Sequence, residues 1–194
     1  MSRKFITQSC LVAVVSAMLF GCQSQKINME EIMKPPPRPA ELDQLDMFLG
    51  AWEGMAQIKF AGSEEVMEHM GKSTYEWMPD KWIFVEKGEY DVGDGKTMYM
   101  TGYWWWDADE KLFQMSWVGS DGGVGTGTGR YDENTRTWTM KSKGMNPYNQ
   151  FKTVGEGTAK FIDDKTIEWT WEEEIPSLLG AKEFMEMKGT SHKK

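Results

Sequence analysis

The 194-residue chain has very little cysteine and histidine, with two of each. Both cysteines, Cys10 and Cys22, lie near the N-terminus, so a domain built from the rest of the chain contains no disulfide. His69 is the one histidine away from the C-terminal end, and no Gly-x-Ser-x-Gly motif occurs. The sequence therefore favours binding over catalysis, and a hydrolase with a pair of acidic residues stays the open enzymatic alternative.

Long hydrophobic segments are also missing. The apolar run 10–20, interrupted by Ser16, is shorter than the about 20 residues that a membrane-spanning helix needs. It follows Arg3 and Lys4, which is the layout of an export signal. Its end, Leu19-Phe20-Gly21-Cys22, resembles the lipobox of bacterial lipoproteins, in which the signal is cut before a lipid-modified cysteine. We predict a signal peptide at 1–21 and lipidation of Cys22; the alternatives are a plain signal peptide or an uncleaved anchor helix.

Residues 22–40 have the composition of a tether between a membrane and a folded domain. This stretch is polar and contains Pro35-Pro36-Pro37-Arg38-Pro39, which favours an extended, semi-rigid conformation. Gln23 and Ser24 follow the cysteine, and no Asp stands there, which resembles lipoproteins sorted to the outer membrane. We expect a lipid-anchored protein that faces the periplasm, with a β-barrel domain at 41–194.

Basic residues are in deficit. Removal of the signal lowers the basic count from 22 to 20 against 30 acidic side chains, for a net charge near −10. Such a charge argues against nucleic acid as a partner and against electrostatic docking on anionic lipid. We therefore expect membrane contact through the N-terminal lipid alone.

The hydrophobic pattern predicts an all-β domain. A short helix is predicted at 41–49 from apolar residues at helical spacing, and the period then changes to two. About ten short strands joined by tight turns, with no long helix, favour an antiparallel meander closed into a lipocalin-like barrel, because closure removes exposed sheet edges. The predicted strands are 50–60, 68–78, 81–90, 97–106, 111–118, 125–131, 137–142, 151–162, 166–173 and 182–190.

The opening of this domain, Phe48-Leu49-Gly50-Ala51-Trp52-Glu53-Gly54, resembles the first strand of lipocalin-like bacterial proteins, in which the Trp plugs one end of the barrel. Together with the Trp-led segment 82–90 and later Tyr-Asp hairpins, it is similar to the family called domain of unknown function 1579. That resemblance implies about ten antiparallel strands and no particular activity. The haem-binding nitrobindins share a similar opening, but they place an iron-ligating His on a late strand, and His192 here stands in the charged segment 191–194.

Two motifs that suggest a bound ion have simpler explanations. The glycine-rich segment 122–129 leads into another predicted strand, whereas a phosphate-binding loop requires a helix directly after it. Its alternating glycines instead thin one face of a strand. Met67, His69 and Met70 suit Cu(I), but they do not all share one face of a strand. We predict no cofactor and no metal site, and we leave copper at His69 as an open question.

Aromatic residues are unusually frequent at 13%, with 10 Trp. The run Tyr103-Trp104-Trp105-Trp106 places rings on both faces of one strand. Filling the barrel accounts for part of this surface, and the surplus favours a cavity that binds an apolar or amphipathic small molecule. The alternative is a filled barrel whose outer aromatic face binds a protein partner. The candidate ligand-binding residues are Trp52, Tyr75, Trp77, Trp82, Phe84, Tyr103, Trp105, Trp117, Trp169 and Trp171.

Overall fold

The computed structural model describes residues 33–145, 152–176 and 182–194. The predicted signal peptide, Cys22 and most of the predicted tether lie outside these residues. The chain divides into two compact units, Met1–Pro37 and Arg38–Lys194, and the second contains every described strand and helix. No helix in the described part of the chain is both long and apolar enough to cross a membrane.

The second unit is a closed antiparallel barrel of ten strands, as the alternating sequence pattern predicts. Each strand pairs with its neighbours in the chain, and β1 pairs with β10 to complete the ring. Closure leaves no unpaired sheet edge. The strands are β1 Gly50–Phe60, β2 Val66–Trp77, β3 Phe84–Asp91, β4 Thr97–Asp107, β5 Leu112–Gly119, β6 Val124–Asp132, β7 Thr137–Met145, β8 Lys152–Phe161, β9 Thr166–Pro176 and β10 Lys182–Lys193.

A short 3₁₀ helix, Ala40–Phe48, closes one end of the barrel. Its apolar side chains Leu42, Leu45 and Phe48 are buried, and the ring of Phe48 packs against Phe161 at 4.9 Å between centroids. The indole of Trp52 donates a hydrogen bond of 2.6 Å to the Phe48 carbonyl. The start of β1 and the helix are therefore fastened together, and we call this the closed end.

Arg38 holds the entry to the helix against the turn before β3. Its guanidinium lies 4.8 Å from the ring centroid of Trp77 and donates a 2.7 Å hydrogen bond to the Lys81 carbonyl. The Trp77 indole in turn donates to Asp46 of the helix at 2.6 Å. The segment that precedes the barrel thus joins it at the closed end.

Most strand boundaries differ from the sequence-based prediction by one to three residues, and the largest differences are at the start of β3 and at the ends of β7, β9 and β10. The third strand begins at Phe84 instead of residue 81, because Lys81 adopts a positive φ of 57° and Trp82 lies in the resulting turn. The last strand continues through Lys193, where a charged tail was predicted. The prediction was wrong there because Lys193 pairs with Trp52 across the closing β1–β10 contact, and this long-range pairing has no local signal.

Candidate functional site

The inner face of the barrel follows from the strand registers. Trp52 is buried, and residues that pair across neighbouring strands share its face all the way around the ring. Every glycine within a strand lies on this inner face. The inward glycines are Gly50, Gly54, Gly71, Gly88, Gly102, Gly119, Gly125, Gly127, Gly129, Gly144, Gly155, Gly157 and Gly189.

These glycines make room for large rings that lie against the wall. A Cβ atom at Gly155 would come within 2.5 Å of the Trp171 ring, and one at Gly189 would come within 2.5 Å of the Trp169 ring. Trp117 covers Gly125 in the same way. Because each ring occupies the space of a missing side chain on the adjacent strand, it lies along the wall of the barrel.

The two ends of the barrel interior differ in burial. At the closed end, Trp138, Phe113 and Phe161 are at most 2% exposed. In the other half, the inward-facing Trp117, Trp171 and the other wall rings keep partly exposed surface. Inward side chains stay exposed only where solvent enters, so the interior opens at the end opposite the helix, which we call the mouth.

Methionines complete the wall near the mouth. Met67, Met98, Met100, Met185 and Met187 face inward and are partly exposed. Flexible thioether side chains adapt to ligands of irregular shape. The rim is apolar as well, with exposed outward side chains of Val66, Val118, Val124, Met145 and Phe184 and with the exposed Phe60 at an inward position.

The ten candidate residues separate into three groups. Trp52 and Phe84 are buried in the core of the closed end, and Tyr75, Trp77 and Trp82 pack against that core. Trp117 and Trp171 line the inner wall farther from that core, while Trp169, which lies on the wall at Gly189, packs against the core as well. Tyr103 and Trp105 face outward, since their strand neighbours Trp104 and Trp106 face inward. The structure therefore places Trp117 and Trp171 on the inner wall beyond the closed-end core and leaves Tyr103 and Trp105 on the outer face.

A polar group that the sequence analysis did not single out lies at the floor of the open interior. Glu86 of β3 faces inward, two residues from the buried Phe84, and accepts a 2.9 Å hydrogen bond from the Tyr75 hydroxyl. Side-chain hydrogen bonds from Trp104 and Tyr90 also reach this carboxyl. Burial raises the pKa of Glu86 above its usual range, although these three hydrogen bonds oppose the shift.

The tyrosines around Glu86 are held in their neutral form. Burial and the nearby Glu86 carboxyl raise the pKa of both Tyr75 and Tyr90. Tyr90 also lies 3.4 Å from the Ser73 hydroxyl, and its ring covers Gly88 and Gly71. Strand parity was the signal for this cluster, because Phe84, Glu86, Gly88 and Tyr90 alternate on one face. Phe84 and its neighbour Val85 are both apolar and both buried, so the sequence pattern does not show which face of β3 is the inner one.

The histidines do not form a metal centre in the part of the chain that is described. Met67 and His69 face inward, while Met70 faces outward, as strand alternation predicts. The described residues contain no group of three or more His, Cys, Asp or Glu side chains suited to a metal ion. His192 is on the outer face of β10, because its neighbours Ser191 and Lys193 occupy inward positions. It therefore does not face the interior, where the nitrobindin resemblance would require a ligand.

Two grooves cross the outer surface. One, of about 450 Å³, lies over β1–β4, and the other, of about 810 Å³, lies over β1, β2 and β8–β10. Charged and hydroxyl side chains such as Glu53, Lys188 and Thr170 line the larger groove. These grooves lie on the outside of the barrel, whereas the mouth leads to the aromatic inner wall.

No protein-family model and no curated protein sequence matches this chain. Among solved structures, the barrel is similar to Rv2717c from M. tuberculosis, with a TM-score of 0.58 and 14% identity over 81% of this chain and 99% of that chain. It is also similar to the S-type phycobiliprotein lyase CPES from Guillardia theta, with a TM-score of 0.56 and 11% identity over 81% of this chain and 94% of that chain. Identities this low establish a shared lipocalin-like fold and no shared activity.

Proposed function

We propose that the barrel binds an apolar or amphipathic small molecule in the open half of its interior. The observation that carries this proposal is the set of wall rings, Trp117, Trp169 and Trp171, each lying flat on glycine and each partly exposed. A barrel built only for stability would bury such rings against one another, as the closed end does with Trp138 and Phe113 at 4.9 Å.

The dimensions of the barrel agree with this proposal. Eight strands leave an interior that side chains fill or that holds one small ligand, and the diameter grows with strand number. Ten strands with glycine at many inward positions leave more space than that. Small-molecule sites are lined mainly by apolar and aromatic side chains with a few polar groups, and Glu86 with its tyrosines supplies the polar part.

A neutral fluorescent probe tests the proposal. Because all described strands lie in Arg38–Lys194, this unit contains the complete barrel. We expect Nile red to bind it at one saturable site with blue-shifted emission. Trp171→Ala removes a wall ring and should weaken binding by about 2- to 10-fold, the value of one aromatic contact. Trp105→Ala removes an outward ring from β4 and should leave the affinity unchanged. Equal effects of the two substitutions would place the probe elsewhere.

We further propose that the protein is anchored through lipid on Cys22 and faces the periplasm from the outer membrane. The support comes from the signal-like segment 1–21 and the proline-rich tether, both read from the sequence. Globomycin should cause the unprocessed precursor to accumulate in cells. Normal maturation in its presence would refute lipoprotein processing. Membership in the domain of unknown function 1579 family also stays a prediction from short motifs.

A second candidate function rests on the outer face of β4. Tyr99 and Tyr103 are 54% and 40% exposed there, and such aromatic side chains are frequent in protein interfaces. In that case the barrel serves as an interaction module in the envelope. In-cell photocrosslinking from position 103 should then capture one defined partner, while the same crosslinker at the outward Glu172 of β9 should not.

A further inference from the structure

The inward positions of the barrel carry an unequal set of charges. In the described strands, Glu86 lies at the floor and Glu173 near the mouth, while Lys193 and His69 are inward basic side chains. Lys193 belongs to the closed end, where its ammonium is 5.6 Å from the centroid of the Trp52 ring. The open half of the interior therefore holds carboxyl groups and the imidazole of His69, and it has no Lys or Arg side chain among the described residues.

The carboxyl of Glu86 has neutral partners only. Its hydrogen bonds come from two tyrosine hydroxyls and the Trp104 indole, and a carboxylate offers about four acceptor positions. The residue paired with it on β4 is Gly102, where a Cβ atom would lie 3.6 Å from a Glu86 carboxyl oxygen. The carboxyl thus lies over the wall at Gly102, which has no side chain to cover it, and Glu86 keeps partly exposed surface.

We propose that Glu86 receives the protonated amine of an amphipathic ligand, so that the cavity selects cationic amphiphiles over anionic ones. This inference rests on the proposed binding function and specifies its ligand class. A buried carboxylate without a counter-charge costs free energy, and a bound ammonium group removes that cost. A fatty-acid carboxylate would instead bring a second negative charge next to Glu86 in a site of low dielectric.

The rest of the cavity suits the same ligand class. The faces of tryptophan rings attract cations, and Trp117 lies on the inner face two strands from Glu86, since both residues pair with Gly102. The apolar portion of the ligand would contact the methionines Met98, Met100 and Met187. On β3, Glu86 is four residues from Tyr90 at the mouth, which corresponds to about 13 Å along an extended strand.

The test compares ligands that share one apolar chain and differ in the head group. Dodecylamine, dodecanol and dodecanoate, each below its micellar concentration at pH 7, compete with Nile red for the barrel. We expect the amine to bind at least 10-fold tighter than the carboxylate. Glu86→Gln keeps the volume of the side chain and should bring the two affinities within about 3-fold of each other. Glu89→Gln changes an exposed, outward carboxyl on the same strand and should leave the ratio as it is.

The outcomes separate this inference from the function on which it rests. If Nile red and all three alkyl compounds fail to bind, the proposed binding function is wrong. If Nile red binds while amine and carboxylate compete equally, the cavity exists and the selectivity for amines is refuted. The comparison in the unaltered protein needs no variant, so a Glu86→Gln protein that fails to fold leaves the inference testable.

Discussion

Replacement of Trp138 by alanine tests whether the closed end is the structural core. Trp138 is 0% exposed, and its ring contacts those of Phe48, Trp104, Phe113 and Tyr131. Removal of a fully buried Trp or Phe side chain typically costs about 3–5 kcal/mol, because both the transfer free energy and the packing around the cavity are lost. A domain of this size is stable by about 5–15 kcal/mol, so Trp138→Ala should remove a large share of the free energy of unfolding.

Trp171→Ala provides the matched comparison, since the same substitution is made at another inward position. The Trp171 ring contacts the wall at Gly155 and Gly157 on one side and the open interior on the other. It therefore loses fewer packing contacts, and we expect a cost of about 1–2 kcal/mol.

Urea unfolding followed by far-ultraviolet circular dichroism measures both free energies without relying on the fluorescence of the removed residue. Trp138→Ala should lower the midpoint at least twice as far as Trp171→Ala, with similar slopes. Costs for the two variants that agree within about 0.5 kcal/mol would refute the division into a packed closed end and an open half.

Three further predictions concern single positions. Burial raises the pKa of Glu86 in the folded barrel, so ionisation of this side chain destabilises the fold as the pH rises from the unfolded pKa near 4.5 through the folded pKa. Glu86→Gln should therefore be more stable than the wild type at pH 7. Thermal melts should show that this advantage is lost near pH 4. Gly157→Ala should lower the free energy of unfolding in urea by about 1–3 kcal/mol, since its Cβ would meet the Thr170 carbonyl and the Trp171 ring. Gly102→Ala, whose Cβ would have its nearest neighbour at 3.6 Å, should lower it by less than about 1 kcal/mol. Cys22→Ala should abolish incorporation of labelled palmitate, and continued labelling would exclude this cysteine as the lipid site.

The sequence predicted the closed barrel because its strands alternate apolar and polar residues between recognisable turns. The prediction that the alternating glycines of β6 thin one face of a strand is confirmed, since Gly125, Gly127 and Gly129 all face inward. The 3₁₀ helix also lies within one residue of the predicted bounds 41–49. These features depend on local periodicity, which one sequence contains.

The ligand-facing residues could be predicted only in part. The run 103–106 has a ring at every position, so alternation alone does not show which pair faces inward. Its register with Phe84 and Phe113 decides the matter in favour of Trp104 and Trp106. The part played by Glu86 depends on the tyrosine of β2 and the tryptophan of β4, which reach its carboxyl from the two strands that flank β3. Such contacts between strands leave no short motif in the sequence.

Native mass spectrometry of the barrel tests the central claim, an interior open to ligand, most directly. We expect the purified protein to retain an apolar molecule or to take up one equivalent of dodecylamine or Nile red, with Trp171→Ala binding more weakly and Trp105→Ala binding as the wild type does. A protein that shows only its own mass in the presence of excess dodecylamine, dodecanol and Nile red would contradict the claim.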